Sequence, residues 1–322
     1  MKWKGLNRVL GYTLLVLVLW QGAAFAAGDP LVSYPTDKVA EHTYVIHGPT
    51  ERPSSANQGF MNNPGFVVTK TSVVVIDSGS SAAIGRALLK KIKKITSKPV
   101  SAVFVSHVHG DHWLGNQAIL QAYPKAKVYA HPEMIKLAKE GAAETWVELL
   151  EKLTDGATKG TKAVIPEYAL KDQQVITVGD IGFRVHLSKH AHTTTDAMIE
   201  VLGDGVLFTG DNVTFKRIPR MDDGSFRGNI AVVEKAKALD VKVVVPGHGP
   251  SGGKNLLDPY QNYLETVYEN TRILREEGKE DFEMKQPLKA LLKDYQDWPG
   301  FDEELGKHIS LSVLEAEQAE FE

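Results

Sequence analysis

An α/β sandwich is the fold class this sequence predicts, and three features predict it. Short runs rich in Val, Ile and Phe recur along the chain, amphipathic helical stretches lie between many of them, and Gly-Asp turn pairs join others. With 43% hydrophobic residues, the 322-residue chain can bury an ordinary core.

The runs at 43–47, 65–69, 72–77, 101–106, 127–130, 174–178, 183–187, 197–202, 206–209 and 241–245 are of strand length and dominated by β-branched residues. Gly179-Asp180 and Gly203-Asp204-Gly205 suit tight antiparallel hairpins. Helical periodicity marks 81–96, 113–123, 132–154, 230–239 and 259–277. Pro132 and Pro259 fall where a first helical turn tolerates proline. Beyond Gly252 the chain is helical and charged, with Trp298 and Phe301 beside Pro299-Gly300. That tail reads either as a clasp on the core or as a contact between two copies of the chain. The expected organisation is a signal segment at 1–26, a catalytic domain at 27–252 and a helical C-terminal extension at 253–322, packed on or near the core.

The signal segment has a basic start (Lys2, Lys4, Arg8), an almost wholly apolar stretch at 9–20, and small residues at 22–27 apart from Phe25. This is the layout of a secretory signal peptide, and Ala24 and Ala26 place cleavage after Ala26. An uncleaved membrane anchor is the alternative, because the apolar stretch is nearly long enough to span a bilayer. Cleavage removes three cations and no acids, so a formal charge of −3 becomes −6. No basic patch then invites nucleic acid or anionic lipid, and the lysines of 90–98 read as the solvated face of an amphipathic helix. The chain has no cysteine, which excludes disulfides, thiolate ligands, a lipoprotein anchor and a cysteine nucleophile. A periplasmic or secreted bacterial protein is expected, free of the membrane once cleaved.

The chemistry concentrates in Ser106-His107-Val108-His109-Gly110-Asp111-His112, directly after an apolar strand. His107 and His109 project to one side of an extended segment, while Asp111 and His112 turn the other way at the start of a helix. One loop thus offers ligands to two neighbouring ions, and imidazole and carboxylate are ordinary zinc ligands. His192, Asp211 and His248 each fall at a predicted strand exit, where α/β sheets place functional groups.

Here the chain resembles the metallo-β-lactamase superfamily. The resemblance rests on His107-x-His109-x-Asp111-His112, His192-Thr193, Thr209-Gly210-Asp211 and Pro246-Gly247-His248-Gly249, with Val75-Ile76-Asp77-Ser78-Gly79 upstream. It implies a four-layer αβ/βα sandwich with the site at the sheet edges. One ion would take His107, His109 and His192, the second Asp111, His112 and His248, and Asp211 would bridge them. A narrower resemblance, to exported hydrolases of the sulfur-oxidation and quinoprotein-relay type, comes from Asn63-Pro64-Gly65-Phe66, His112-x-Leu114-Gly115-Asn116, the His192 to Asp196 run and the helical tail. The bridging Asp211 and the lack of a cysteine ligand resemble thioesterase and lactonase branches more than the β-lactamases.

The function expected is hydrolysis of an ester, thioester, lactone or amide by a hydroxide that two divalent ions share, with Asp111 as the orienting and proton-accepting residue. Zinc suits the ligands, and iron or manganese would also. The substrate would be a small anionic or carbonyl-containing molecule. Alternatives are a β-lactamase, an iron-dependent sulfur-oxidising enzyme on the same fold, and an accessory protein of a periplasmic relay that binds metal or metabolite without turnover.

Other residues carry weaker expectations. His190 is a rival ligand to His192, His131 and His186 read as structural, and His42, His47 and His308 as surface groups. Asp77 is expected to support the metal loop, nearby serines to cap a helix, and Asp196 either to orient a ligand or to start a strand. The stretch 216–227, with Lys216, Arg217, Arg220, Phe226 and Arg227, is a candidate anion-selecting loop or a plain solvated one. Asn62 and Asn63, with Phe60 and Met61, are a candidate pocket wall.

Overall fold

The computed structural model describes residues 28–321, so the signal segment expected at 1–26 lies outside the described residues. Strands β1 (Asp37–Lys38), β2 (Thr43–Val45), β3 (Gly65–Val68), β4 (Val73–Ile76), β5 (Val100–Phe104), β6 (Lys127–Ala130) and β7 (Tyr168–Ala169) form one sheet in that order. Strands β8 (Val175–Val178), β9 (Ile181–Leu187), β10 (Ala197–Val201), β11 (Val206–Thr214) and β12 (Val243–His248) form the second, in reverse order. Each sheet mixes directions: β4, β5, β6 and β7 are parallel, as are β11 and β12, while the remaining pairs are antiparallel.

The two sheets face one another across Val67, Val74, Ile76 and Phe104 on one side and Phe183, Val185, Ile199 and Phe208 on the other. The outer face of the first sheet is covered by α1 (Ala82–Ile95), α2 (Asn116–Ala122), α3 (Pro132–Leu137) and α4 (Ala143–Leu153). That of the second is covered by α5 (Phe226–Ala238) and α6 (Leu257–Glu276), with α7 (Asp281–Leu291) and α8 (Phe301–Ala319) packed beyond. Helix, sheet, sheet, helix is the four-layer α/β sandwich the sequence predicts.

Local signals explain many boundaries. Ser81 caps α1 by accepting from the Ile84 amide, and Ser225 caps α5 through the Gly228 amide. The helix expected over 132–154 is broken, because Gly141 takes φ 115° and separates α3 from α4. The 113–123 helix starts later, at Asn116, after a single tight turn over Gly110–His112. Asp211, expected at a strand exit, lies inside β11, which runs on to Thr214. The strand continues through a bulge: pairing with β12 shifts register at Gly210, whose φ is +53°.

The tail past Gly252 is part of the packing. Tyr260, Tyr263, Leu264 and Val267 of α6 are buried in the same core as Val232 and Val233 of α5. Among the described residues, no helix is long and apolar enough to cross a membrane.

His308, expected at the surface, is instead fully buried on α8, with Nδ1 2.8 Å from the Tyr263 hydroxyl. Burial holds its imidazole down at about 4. The unfolded chain therefore takes up this proton first, and the folded chain loses stability as pH falls from about 6.5 to about 4. His308→Gln should lower the stability lost between pH 7 and 4.5 by about 2–3 kcal/mol relative to wild type. Denaturant unfolding at both pH values measures it, and equal losses in the two proteins would remove His308 as the cause.

Candidate metal centre

Five strands deliver the chemistry to one edge of the sandwich. Chain leaving β4 carries Asp77, chain leaving β5 carries His107 to His112, the turn before β10 carries His192, and β11 and β12 carry Asp211 and His248. All seven expected ligands are buried, and they fall into two groups. His107, His109, His192 and Asp211 converge in one, and Asp111, His112 and His248 in the other.

Asp211 joins them. Its Oδ2 lies 3.6 Å from His192 Nε2 and 4.0 Å from His107 Nε2, and also 3.2 Å from His248 Nε2. Its Oδ1 lies 3.2 Å from His112 Nε2. Asp111 Oδ2 stands 3.3 Å from His112 Nε2 and 3.4 Å from His248 Nε2, while His109 Nδ1 and His192 Nε2 are 3.0 Å apart. Two donors each about 2.0–2.1 Å from one tetrahedral ion are roughly 3.3 Å apart, so these spacings suit a cation at each focus.

The donor atoms also lack other work. His107 Nε2, His112 Nε2, Asp111 Oδ2 and Asp211 Oδ1 are buried without a hydrogen-bond partner. Such orphans are costly unless something else satisfies them. The residues therefore fit two metal ions.

The opposite ring nitrogens are anchored. His112 Nδ1 donates to Asp77 Oδ2 at 2.7 Å, and His109 Nε2 donates to Asp223 Oδ2 at 3.0 Å. His248 Nδ1 lies 2.8 Å from the Met61 carbonyl, and Arg217 Nη1 is also 2.8 Å from that nitrogen. Asp77 holds the loop as well as the ligand, accepting from the Ser106 amide and hydroxyl at 2.8 Å each. Its own backbone is left-handed, with φ +52°, a strained state for a non-glycine residue that persists at such sites. Asp196 accepts from the Thr193 amide and hydroxyl at 2.9 and 2.7 Å, and so fixes the turn after His192. Gly247 has no alternative: a Cβ there would lie 1.9 Å from Asp211 Oδ1.

The charges sort by neighbour. Burial and the surrounding imidazoles hold His107 well below its ordinary value, and burial, against the pull of Asp211, takes His192 down to about 3. Burial opposes ionisation of Asp111 and Asp211, but His112 and His248 outweigh it and keep both carboxyls well below the usual range. Burial likewise opposes charge on His112, where Asp111, Asp211 and Asp77 prevail and raise it. Ionised carboxylates among imidazoles make a set that a divalent cation can neutralise.

The remaining candidates divide clearly. His190 is exposed and outside both groups, with Nε2 on the Asp223 carbonyl. His131 caps α3, and His186 Nε2 pairs with Glu200 at 2.9 Å. His42 and His47 are part-buried and bonded to Asp204 and Asp37. His47 also accepts from Ser251, which pins the chain after His248 beside β2. A cleft of about 360 Å³ opens in front of the two groups, lined by Met61, Arg217 and Arg220 among others, while Asn63 lies behind it, donating to the Pro246 and Gly249 carbonyls. Sequence reasoning missed Asp223, because one acid in a Met-Asp-Asp-Gly turn looks like any turn residue. It also missed the share of the tail in the cleft, through Pro299, Gly300, Glu304 and Lys307.

Comparison with known proteins agrees with this geometry. A family model described as the metallo-beta-lactamase superfamily matches residues 57–248, more than half of the chain and the whole ligand set. The metallo-beta-lactamase type 2 of Bacteroides fragilis is 23% identical over 263 residues, covering 80% of this chain and 94% of that protein. Among solved structures, a metallo-beta-lactamase from Pontibacter korlensis superposes with a TM-score of 0.58 at 20% identity, over 72% of this chain and 99% of that one. A stereoselective inverting sec-alkylsulfatase from Pseudomonas sp. superposes with a TM-score of 0.67 at 16% identity, covering 87% of this chain but only 49% of the sulfatase. These two likenesses bear on the fold. With its fold, its buried His/Asp groups and the family match in agreement, the chain belongs to the metallo-beta-lactamase superfamily and is a hydrolase of that kind.

Proposed function

We propose that this chain is an exported hydrolase that holds two divalent ions and cleaves an ester, thioester, lactone or amide bond. The observation that carries the reading is Asp211, whose two oxygens face imidazoles of both groups while its own Oδ1 and the inward Nε2 atoms of His107 and His112 stay orphaned. His107, His109 and His192 would hold one ion, Asp111, His112 and His248 the other, and Asp211 both; zinc suits this set, with iron or manganese as alternatives. Bound there, the ions supply Lewis acidity and a water made acidic enough to attack at neutral pH.

The chain's own residues do the rest. Asp111 lines the cleft with Oδ2 free of any hydrogen bond, and is the residue placed to orient the attacking water and receive its proton. Asp77 and Asp223 fix the ring orientation of His112 and His109, presenting Nε2 and Nδ1 inward. The Met61 carbonyl does the same for His248. Export is supported by the basic, apolar and small-residue order of 1–26.

The test is a panel of ester, thioester, lactone and amide substrates given to the metal-loaded full chain and to His109→Ala. A chromogenic cephalosporin belongs in the panel, since its β-lactam is an amide and a relative carries that name. At least one class should turn over, and His109→Ala should lose more than a hundredfold, beyond the ~10–100-fold typical of an outer partner. A folded His109→Ala with wild-type turnover sinks the reading.

A further inference from the structure

The cleft is lined by two unlike sets of side chains. Helix α4 contributes Trp146, Leu149, Leu150 and Leu153, and Leu153 is 45% exposed despite being apolar. The same lining carries the cations Arg52, Arg217, Arg220 and Lys307. Three of these are already matched by acids. Arg52 and Lys307 share Glu304 at 2.7 and 3.0 Å, and Arg220 pairs with Asp222 at 2.5 Å.

Arg217 is the exception. Its guanidinium touches His248 Nδ1, and among the described residues no carboxylate comes within ion-pairing reach of it. A guanidinium carries five N–H donors in a planar fork matched to an oxyanion. Without a carboxylate in contact, its fork keeps donors open to an incoming anion.

Both sets line one cavity of about 360 Å³, within the ~300–1,000 Å³ typical of small-molecule sites. Arg220, 5.7 Å from the Trp146 ring centre, brings the two sets into contact. A molecule filling this space meets the leucines and Arg217 together.

We infer that the cleft selects a small anionic amphiphile, with a fixed oxyanion on Arg217 and an apolar chain laid along Trp146, Leu149, Leu150 and Leu153. This rests on the proposed hydrolase, because it places the substrate in that site's cleft. Arg217 and the α4 leucines are then specificity-determining residues: the first sets the charge of the substrate and the second its chain length.

The test is calorimetric binding of 1-alkanesulfonates with four, six and eight carbons, and of neutral octyl methyl sulfone, to the zinc-loaded full chain. Affinity should rise roughly fourfold per methylene, the value for burying one CH₂. The sulfone should bind at least tenfold more weakly than octanesulfonate. Arg217→Gln should abolish that preference and keep the chain-length trend, Arg217→Lys should restore part of it, and Leu149→Ser with Leu153→Ser should flatten the trend and keep the preference. Thermal unfolding confirms that each variant is folded. Equal binding of sulfone and sulfonate by wild type, or no dependence on chain length, overturns the inference. A chain that binds zinc and hydrolyses substrates but ignores sulfonates defeats this inference alone, whereas one that binds sulfonates but neither holds zinc nor turns over defeats the hydrolase reading alone.

Discussion

Asp211→Asn is expected to lower turnover by more than a hundredfold and to leave the chain holding fewer than two metal ions. The substitution changes the shape of the side chain little, yet it removes the charge and replaces one carboxylate oxygen with an NH2 group that cannot ligate. Asp211 reaches His112 through Oδ1 and His192 and His248 through Oδ2, so both groups lose the same carboxylate at once. Gly247 leaves the space that Oδ1 occupies, since a Cβ there would lie 1.9 Å from it. Outer partners of a metal ligand typically contribute ~10–100-fold, and a ligand shared by two ions should exceed that. Steady-state kinetics with the best substrate of the panel measures the loss, and near-wild-type turnover would show that the bridge does not exist.

The second large effect is thermal. Without a cation the chain buries two ionised carboxylates and several bare imidazole nitrogens side by side. An ion that binds only the folded state, at a thousandfold excess over its Kd, contributes about 4.1 kcal/mol. Two such ions contribute roughly 8 kcal/mol, which for a chain of this size raises Tm by about 12 °C. Differential scanning fluorimetry with chelator and then with zinc reads the shift. A Tm that does not move would mean that the two groups are satisfied in some other way.

Much of this was legible before any coordinates because the strongest signals are local. The His107 to His112 loop carries four ligands in six residues, Ser81 marks the start of α1 by capping, and the β-branched run Val73–Ile76 marks a strand. What escaped depends on contacts between distant segments. Asp223 meets His109 across 114 positions, and Lys307 reaches the cleft only because α8 folds back over the second sheet. Asp211 looked like a strand exit because Gly210 and Asp211 read as a turn, whereas the bulge lets the strand continue. His308 was legible after all: it shares a helical face with Leu305, Ile309 and Ser312, all buried, so the i, i+3, i+4 spacing places it inward.

Elemental analysis of the folded full chain, dialysed from excess zinc, counts directly what these seven side chains hold. Two ions per chain is the predicted result, with at least one lost in Asp211→Asn. A folded wild-type chain that retains none would contradict the metal centre, and with it the hydrolysis assigned to this edge of the sandwich.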